Sequence, residues 1–471
     1  MNAGVVAAVD LGATSGRVQL GYVGQGTLRL TDVARFPNLP VRTADGLHWS
    51  ILELYRRVVD GLAAAVRQEP GLASIGVDSW GVDYALMRDG RILGSPYAYR
   101  DERSAPAVEV VHEIMSPAEL YSRNGLQHLP FNTLFQLTAD RTAGTLELAD
   151  SFLLLPDLFA YWLTGHSLAE RTNASTTGLL GVETAEWDNA LIERLHLRRE
   201  LFPPLVDAGT PLGGLAAEVL RDLGGTDAVV TTVCSHDTAS AVVAIPALDP
   251  AFAYISCGTW SLVGVELEHP VLSEASRLAG FTNEGGFDGR VRYLHNVMGL
   301  WLLNECVREW EKDGSTVSAS ELVEQAAAVS EAVPIFDVDD EAFLAPGDMP
   351  ARISAWLAAR DLPVPSSRPA MVSAILRSLA EAYARTIQSA AELSGRTVSV
   401  VHLVGGGAQN GLLCQLTANA VGLSVVAGPV EATSIGNVLV QARALGYVSG
   451  DLDTLRALIA PAFPTIRYEP R

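Results

Sequence analysis

The sequence predicts a duplicated α/β fold, and two observations carry that prediction. A turn rich in glycine and in serine or threonine joins two strand-like segments at 10–17, and a second turn of this kind follows at 256–261. A similar order of strands and one helix accompanies each turn, although order alone leaves chance similarity of short strands open. Such turns offer backbone N–H and hydroxyl donors that suit an anion, and two of them facing each other would clamp a polyphosphate.

The first third of the chain has the pattern of three strands, a helix and a further strand. Strand-like segments lie at 4–10, 17–22 and 28–36. Apolar residues then recur at helical spacing within 51–68, and 73–78 returns to the strand pattern.

The second half of the chain repeats this order. Strand-like segments lie at 252–256, 261–266 and 291–297, a helix is expected at 299–310, and a later strand at 398–404. We therefore predict two duplicated α/β domains with insertions.

Prolines and glycines mark the boundaries between the predicted parts. Pro246 and Pro250 interrupt both periodicities, so the domain boundary is expected between them. Pro369 opens a long predicted helix and Gly395 closes it. The predicted parts are a first domain over 1–245 with an insertion at about 100–230, a second domain over 251–447, and a C-terminal tail over 448–471.

Composition and charge narrow the classes of partner. The chain has 54 acidic and 33 basic residues, which gives a net charge of −21. An acidic surface repels nucleic acid and anionic membranes, so a bound phosphate must be held by local donors. The apolar run 5–9 lacks a basic leader, and no segment reaches the roughly 20 apolar residues of a membrane helix. We expect a cytoplasmic protein with small-molecule ligands, and both monomer and dimer stay open.

The cysteines and histidines do not form a recognisable metal or disulfide framework. No CxxC pair is present, and the nine histidines lack ligand spacing. We expect neither structural zinc nor disulfides, and we predict that the cysteines are small buried hydrophobes. They are Cys234, Cys257, Cys306 and Cys414.

A glycine-rich turn follows the strand that ends at Val404. Gly405, Gly406 and Gly407 allow backbone to approach a planar ring or a phosphate closely. A dinucleotide-binding fingerprint fails on spacing, because Asn410 stands where a third Gly or Ala is required, and no P-loop motif is present. A tight connection between strand and helix is the structural alternative for this turn.

Two polar clusters follow predicted strands. His236, Asp237 and Thr238 lie between a strand at 228–233 and a helix of small residues, which suits binding of hydroxyl groups. Helix capping is the alternative role for Asp237, although Ser235 could cap equally well.

The second cluster combines aromatic, acidic and basic side chains. It includes Trp80 and Asp83, which follow the strand at 73–78, and Arg100 and Asp101 shortly afterwards. In such a mixture, aromatic rings pack against the face of a sugar while charged side chains hydrogen-bond to its hydroxyl groups. A core tryptophan beside surface charges is the alternative interpretation.

Motifs in this order resemble the FGGY family of carbohydrate kinases, whose domains have an actin-like (ribonuclease H-like) ATPase fold. The resemblance covers nearly the whole chain. Its most specific part is the combination of SHDTASAV, SCGTWSL and NVMGLWLL. The matching segments are DLGATSGR (10–17), DSWGVD (78–83), AYRDERS (98–104), LPFNTLFQL (129–137), PDLFAYWLTG (156–165), TNASTTGL (172–179), SHDTASAV (235–242), SCGTWSL (256–262), NEGG (283–286), NVMGLWLL (296–303), VGGGAQN (404–410) and GPVEATSIGN (428–437).

The resemblance implies roles for individual residues. Asp237 would be the catalytic base, and Asp10 would sit near magnesium, through water. Asn304 would lie near the nucleotide, where the pattern it resembles has glutamine, one methylene longer. The residues implied to bind ATP are Ala13, Thr14, Ser15, Gly16, Arg17, Thr259, Asn304 and Gly406, and those implied to bind the sugar are Gly81, His236, Asp237, Thr238 and Asn296.

The resemblance also implies an activity. The protein would be a kinase that uses ATP as co-substrate and Mg²⁺ as cofactor, and it would phosphorylate O1 of L-rhamnulose in L-rhamnose catabolism. Its partners would be the sugar and ATP. A kinase for another ketose, such as fuculose or xylulose, is an alternative within the family. A sugar-sensing ATPase without phosphoryl transfer is the alternative from another class, and Asp237 argues against it.

Overall fold

The chain folds into two compact units, each assembled from separate segments. A computed structural model describes residues 4–24, 26–312, 314 and 316–471. Unit 1 comprises Met1–Leu248, Glu266–Tyr293 and Ala432–Ala462. Unit 2 comprises Asp249–Val265, Leu294–Glu431 and Phe463–Arg471.

Strands and helices alternate along most of the chain. In the described residues the strands are β1 (Gly4–Leu11), β2 (Ser15–Gly24), β3 (Thr27–Pro37), β4 (Pro40–Thr43), β5 (Gly46–Trp49), β6 (Ser74–Ser79), β7 (Tyr84–Arg88), β8 (Arg91–Ile92), β9 (Ser151–Leu154), β10 (Ala169–Glu170), β11 (Leu205–Val206), β12 (Pro211–Gly214), β13 (Val229–Thr231), β14 (Phe252–Cys257), β15 (Ser261–Leu267), β16 (Thr282–Gly285), β17 (Val291–Val297), β18 (Val400–Val404), β19 (Ser424–Ala427) and β20 (Ile466–Tyr468).

The α-helices over the same part of the chain are mostly short, and the two longest are α1 in unit 1 and α14 in unit 2. They are α1 (Ile51–Gln68), α2 (Ala105–Ile114), α3 (Pro117–Asn124), α4 (Thr133–Ala143), α5 (Leu155–Thr164), α6 (Arg171–Ala174), α7 (Asn189–Arg194), α8 (Ala217–Asp222), α9 (Asp237–Val243), α10 (Glu274–Leu278), α11 (Trp301–Trp310), α12 (Ala319–Ala327), α13 (Met349–Ala358), α14 (Arg368–Ser394), α15 (Gly411–Val421), α16 (Ala432–Ala444), α17 (Leu452–Arg456) and α18 (Ile459–Ala462).

A mixed sheet forms the centre of unit 1, in the strand order β12-β13-β6-β1-β2-β3. β1 and β2 form the predicted antiparallel hairpin. β6 pairs with β1 in parallel, and β13 pairs with β6 in parallel. Helix α1 packs on β2 and β3, whereas α16 packs on β1 and β6. The sheet is therefore covered by helices, and its central strands are apolar along most of their length.

The sheet of unit 2 repeats the arrangement of unit 1. The strands that lie wholly or partly in unit 2 follow the order β17-β15-β14-β18-β19-β20. β14 and β15 form an antiparallel hairpin, and β18 pairs with β14 in parallel, as β6 does with β1. The strand order β19-β18-β14-β15-β17 thus matches β13-β6-β1-β2-β3. The two predicted glycine turns join corresponding strands, which supports the duplication.

The segment after β8 builds a second hydrophobic core within unit 1. Helices α2 and α4 pack together, and aromatic side chains fill the space beside β9. Phe202 meets Phe152 and Trp187 edge to face, with ring centroids 5.1 Å apart in both pairs. This core is separate from the apolar layer that covers the central sheet.

Local signals in the sequence locate several helices well. The observed α1 has the predicted bounds 51–68, and α14 begins one residue before Pro369 and ends at Gly395, whose φ of 68° stops the helix. The helix predicted from 299 begins instead at Trp301, because Gly299 has φ 59° and cannot continue a helix. The strand predicted at 228–233 is limited to β13, since Thr232 N leaves the ladder and bonds to Thr210 O.

The structure also tests the predictions that the cysteines are buried and that the chain has no membrane-spanning helix. All four cysteines are buried, as predicted. Among the described residues, no helix combines the length and the apolar character needed to cross a bilayer.

Candidate active site

The parallel strands of unit 1 end side by side, and their carboxyl ends carry acidic residues. β1 and β6 pair so that Asp10 lies opposite Asp78. Ser79 forms a parallel bridge with His236, the residue directly before Asp237. Ligands of open α/β sheets bind at the carboxyl ends of parallel strands. The register therefore brings Asp10, Asp78 and Asp237 to the edge where a ligand is expected.

Asp78 is the most deeply buried of these carboxylates. Its Oδ2 accepts a hydrogen bond of 2.6 Å from Asn437 Nδ2, while its buried Oδ1 has no hydrogen-bond partner among the described residues. Burial raises the pKa of Asp78 well above its usual value, and the charge of Asp10 raises it further, with a smaller contribution from Asp237. The neighbouring carboxylates thus disfavour the ionised form of Asp78, and a cation at this edge would offset that repulsion.

Asp10 also faces the first glycine turn. Arg17 Nη1 lies 3.5 Å from Asp10 Oδ2, and Arg17 Nη2 donates to Ser15 Oγ at 3.4 Å. Asp10 and Arg17 are paired directly across the β1–β2 hairpin. The predicted metal-side carboxylate and the predicted phosphate-side guanidinium therefore belong to one cluster.

Asn38 holds the first glycine turn in shape. Its side-chain Nδ2 donates to Gly12 O at 2.9 Å, and its backbone N donates to Thr14 O at 2.9 Å. Ala13, Thr14 and Ser15 are half-buried on the turn. The sequence did not indicate this role for Asn38, because nothing local connects it to residues 26 positions earlier.

The second glycine turn is fastened to the start of α11 in unit 2. Trp301 N donates to Thr259 O at 3.0 Å, and Leu300 N donates to Gly258 O at 3.2 Å. Asn304 follows on the exposed side of the first turn of α11. Two predicted nucleotide-binding residues, Thr259 and Asn304, are therefore carried by directly connected elements.

The three-glycine turn packs against the strand that leads into the second glycine turn. A Cβ on Gly407 would lie 2.2 Å from Cys257 Sγ, and one on Gly405 would lie 2.9 Å from Cys257 O. Gly406 is exposed, and a Cβ there would meet no atom within 4 Å. Packing thus explains two of the glycines and leaves Gly406 without a structural requirement in the described residues.

Gly81 is followed by a residue in an unusual conformation. Val82 has φ 67°, which is strained for a β-branched residue. Its N–H donates to Thr176 Oγ1 at 3.1 Å, and its carbonyl accepts from Thr133 Oγ1 at 2.7 Å. A Cβ on Gly81 would lie 2.9 Å from Thr176 Oγ1. The predicted sugar-binding glycine therefore lies in a strained turn that buried threonines hold.

Asp83 anchors this turn from the core of unit 1. Its Oδ2 accepts from Trp49 Nε1 at 2.6 Å and from Trp80 Nε1 at 3.0 Å, and its Oδ1 accepts from Gln136 Nε2 at 3.0 Å. Burial raises the pKa of Asp83 to about 6 against the opposing effect of these donors. Trp80 thus matches the core alternative, whereas Asp83 is buried rather than a surface charge. Asp101 caps a short helical turn by accepting from Arg103 N at 2.9 Å.

The His236, Asp237 and Thr238 cluster opens α9. His236 occupies the N-cap position, and Asp237 is the first helical residue rather than the cap. Asp237 Oδ1 lies 3.5 Å from His236 Nε2 and accepts from Thr238 Oγ1 at 3.2 Å. The Asp237 side chain is 26% exposed, in contrast to its buried neighbours. Asp237 is accordingly the carboxylate of this edge that solvent can reach most easily.

Asn296 and several unpredicted residues complete the description of the candidate site. Asn296 is half-buried near the end of β17 in unit 2. Asn437 contacts Asp78 from a helix far along the chain, and Arg292 and Glu284 contact His236. The NEGG motif contains Glu284, but only the three-dimensional pairing of strands indicates what it contacts.

Two family models cover this chain. The N-terminal domain of the FGGY family of carbohydrate kinases matches residues 5–244, and the C-terminal domain of the same family matches residues 253–445. The chain therefore belongs to the FGGY family of carbohydrate kinases.

Curated relatives extend the likeness over nearly the whole chain. A protein of Bacteroides thetaiotaomicron named rhamnulokinase is 41% identical over 467 residues, covering 98% of this chain and 95% of that protein. A rhamnulokinase of Pectobacterium carotovorum subsp. carotovorum is 40% identical over 471 residues, covering 99% of this chain and 93% of that protein.

Solved structures support the fold. A gluconate kinase from Lactobacillus acidophilus has a TM-score of 0.78 at 16% identity, covering 100% of this chain and 94% of that one. A xylulose kinase from the same organism has a TM-score of 0.78 at 15% identity, covering 99% and 94%. The predicted fold class of two duplicated actin-like α/β domains is confirmed.

Proposed function

We propose that this protein transfers the γ-phosphoryl group of ATP to O1 of L-rhamnulose and so acts in L-rhamnose catabolism. The choice of sugar is supported by near-full-length likeness to relatives that bear the name rhamnulokinase. The chemistry is supported by one observation above all. Asp237 is a partly exposed carboxylate at a strand edge that already holds Asp10 and Asp78.

Asp237 is proposed as the general base. The O1 hydroxyl loses its proton to the Asp237 carboxylate as the bond from O1 to phosphorus forms, and the bond from phosphorus to the leaving ADP oxygen breaks. Its negative charge at the first position of α9 is compatible with the positive end of the helix. Asp83 and Asp101 suit this role less well, because both carboxylates already accept N–H donors.

The carboxylates of unit 1 fit a magnesium ion held mainly through water. Asp78 Oδ1 is a buried oxygen without a hydrogen-bond partner in the described part of the chain, and Asp10 lies beside it on the neighbouring strand. No group of three or more His, Cys, Asp and Glu side chains within the described ranges encloses a metal ion. Mg²⁺ keeps several waters and prefers few carboxylates. When bound with ATP it would neutralise phosphate charge, with Asp10 orienting its waters.

The remaining predicted residues are proposed to position the substrates. Ala13 to Arg17, Thr259, Asn304 and Gly406 would hold ATP, and Gly81, His236, Thr238 and Asn296 would hold the sugar. Binding to these groups lines up O1 with the phosphorus, which is most of what a phosphoryl-transfer enzyme must do. The cytoplasmic location stays a prediction.

A coupled ADP-release assay tests the substrate. The purified protein is given MgATP with L-rhamnulose, L-fuculose or D-xylulose, and L-rhamnulose is expected to give the highest kcat/KM. ³¹P–¹³C coupling in the product locates the phosphate on C1. A higher kcat/KM for another ketose would show that the substrate is wrong, and ADP release without a phosphorylated sugar would contradict the proposed function.

Replacing Asp237 tests the proposed base. Asp237→Asn keeps the shape of the side chain but cannot accept the proton, so kcat should fall about 10² to 10⁴-fold. Binding of ATP and sugar, measured by calorimetry, should change little. The matched control is Asp60→Asn on the surface of α1, where the aspartate is 64% exposed. A kcat near that of the wild type would leave Asp237 as a simple ligand.

A further inference from the structure

His236 is enclosed on one side by a buried ion pair. Arg292 Nη2 lies 2.9 Å from His236 Nδ1 in hydrogen-bonding geometry, and it lies 3.0 Å from Glu284 Oε2. Glu284 Oε2 is also 3.3 Å from His236 Nδ1, but it forms no aligned hydrogen bond with any described residue. Of these two groups, only Arg292 is therefore aligned to form a hydrogen bond with His236 Nδ1.

Arg292 is firmly held in this position. Its side chain is fully buried, and its Nε donates to Gly285 O at 2.9 Å. Burial alone would raise the pKa of Glu284, but the charge of the adjacent Arg292 is the largest effect that opposes this, and the pKa lies below its usual value. Glu284 thus stays ionised and keeps the guanidinium in place by charge.

The donor and acceptor chemistry of these groups determines the tautomer of His236. A guanidinium can only donate, so the Nδ1 atom that faces Arg292 must supply a lone pair. The proton of a neutral imidazole then resides on Nε2. A proton on Nδ1 would instead point at the Arg292 N–H.

We infer that Arg292 is a positioning residue that keeps His236 in the Nε2–H tautomer, so that His236 donates a hydrogen bond to an acceptor oxygen of the ketose. The sugar contact rests on the proposed function, whereas the tautomer does not. The Nε2–H group lies on the side of Asp237, whose Oδ1 is 3.5 Å away. His236 consequently acts as a donor and leaves the acceptance of the O1 proton to Asp237.

Nitrogen NMR of the ligand-free protein tests the tautomer directly. The protein is labelled with ¹⁵N in its histidine rings, and the signals of His236 are assigned by their loss in His236→Asn. The wild type should show a pyrrole-type Nε2 and a pyridine-type Nδ1. A protonated Nδ1 in the wild type would overturn the inference without any Arg292 variant.

Substitution of Arg292 tests the positioning role. In Arg292→Met, Nδ1 loses the donor that faces it and keeps only Glu284, 3.3 Å away, beside it, so a share of His236 should carry its proton on Nδ1. The KM for the ketose should rise about 5- to 100-fold, the range for losing one hydrogen bond to a buried polar group. The KM for ATP should change less than about twofold, since His236 faces the sugar. Arg292→Lys keeps the charge and the donor and should restore much of the ketose KM.

The control is Arg290→Met, two residues earlier, where the half-buried arginine pairs with Glu268 at 3.3 Å. It should leave both the His236 signals and the ketose KM unchanged. An unaltered tautomer in Arg292→Met, or a ketose KM that rises equally in Arg290→Met, would overturn the inference. The wild type could instead show the Nε2–H tautomer by NMR and yet phosphorylate no ketose in the ADP-release assay. That result would contradict the proposed function but not the tautomer.

Discussion

Helices α9 and α16 of unit 1 approach each other closely at Gly436, and substitution of this glycine by alanine tests how α9 is held. A Cβ at Gly436 would lie 1.8 Å from the carbonyl oxygen of Ser240 and 2.6 Å from its carbonyl carbon. Both atoms belong to the backbone of α9, so no change of side-chain rotamer removes the overlap. The oxygen would have to move away by roughly 1.6 Å to reach ordinary contact.

Two effects on stability oppose each other in Gly436→Ala. Helix propensity favours alanine over glycine by about 1 kcal/mol in a helix interior. Overpacking of a closely packed contact costs about 1 to 3 kcal/mol, and overlap with backbone favours the upper end of that range. We therefore expect a net loss of about 1 to 2 kcal/mol in the free energy of unfolding, measured by urea denaturation.

The same substitution should affect catalysis, because Asp237 precedes Ser240 by one turn of α9. A displacement of about 1 Å can reduce the rate about 10²-fold when reacting groups must be aligned. We expect kcat to fall about 10- to 100-fold with L-rhamnulose.

The control for Gly436→Ala is Gly71→Ala, since a Cβ on this exposed loop glycine meets no atom within 4 Å. Its stability should stay within about 0.5 kcal/mol of the wild type or rise slightly. Equal or greater stability of Gly436→Ala would refute the packing argument, since helix propensity alone predicts that result. Loss of stability with an unchanged kcat would show that α9 does not determine the position of Asp237.

Two further predictions concern Asp83 and Gly406. The folded-state pKa of Asp83, about 6, lies above the usual value for an unfolded chain, so its contribution to stability is complete below about pH 4 and is lost as the pH rises through about 6. Relative to Asp83→Asn, the wild type should lose about 2 kcal/mol of unfolding free energy between pH 4 and 7, and a constant difference would contradict this. Gly406→Ala should leave the unfolding free energy unchanged, because the added Cβ meets nothing within 4 Å, but should raise the KM for ATP if nucleotide lies against this turn. Gly407→Ala, which overlaps Cys257, is the matched comparison and should lose stability; an unchanged KM in Gly406→Ala would remove Gly406 from the nucleotide site.

The sequence predicted the elements whose signals are local. Both hairpins were found because glycine-rich turns between apolar alternating segments are short-range features, and both are antiparallel in the structure. The long helix α14 was found because Pro369 and Gly395 mark its ends. The start of α11 was wrong by two residues, since the sequence does not reveal the positive φ of Gly299.

The candidate site was only partly accessible to sequence reasoning. His236, Asp237 and Thr238 stood out as polar residues between apolar runs. Asp78 belonged to a recognised motif, yet its position opposite Asp10 depends on the parallel register of β1 and β6, and residue types alone do not specify a register of that kind. Resemblance to the family supplied residue roles that the local pattern could not supply.

Two buried amide side chains, Gln441 and Asn437, form a hydrogen-bonded relay that shows how residues distant in sequence determine the geometry of this site. Gln441 Nε2 donates to Ala7 O at 3.0 Å and to Asn437 Oδ1 at 2.6 Å. Because the Asn437 oxygen accepts from Gln441, its Nδ2 is turned toward Asp78 Oδ2, 2.6 Å away. Asp78 and Asn437 are 359 residues apart in sequence. Each residue of the relay is unremarkable in its own segment, and only the packing of α16 on β1 and β6 gives it a role. The acidic edge of unit 1 is therefore completed by its last segment, so its geometry depends on α16 as much as on the strands that carry the carboxylates.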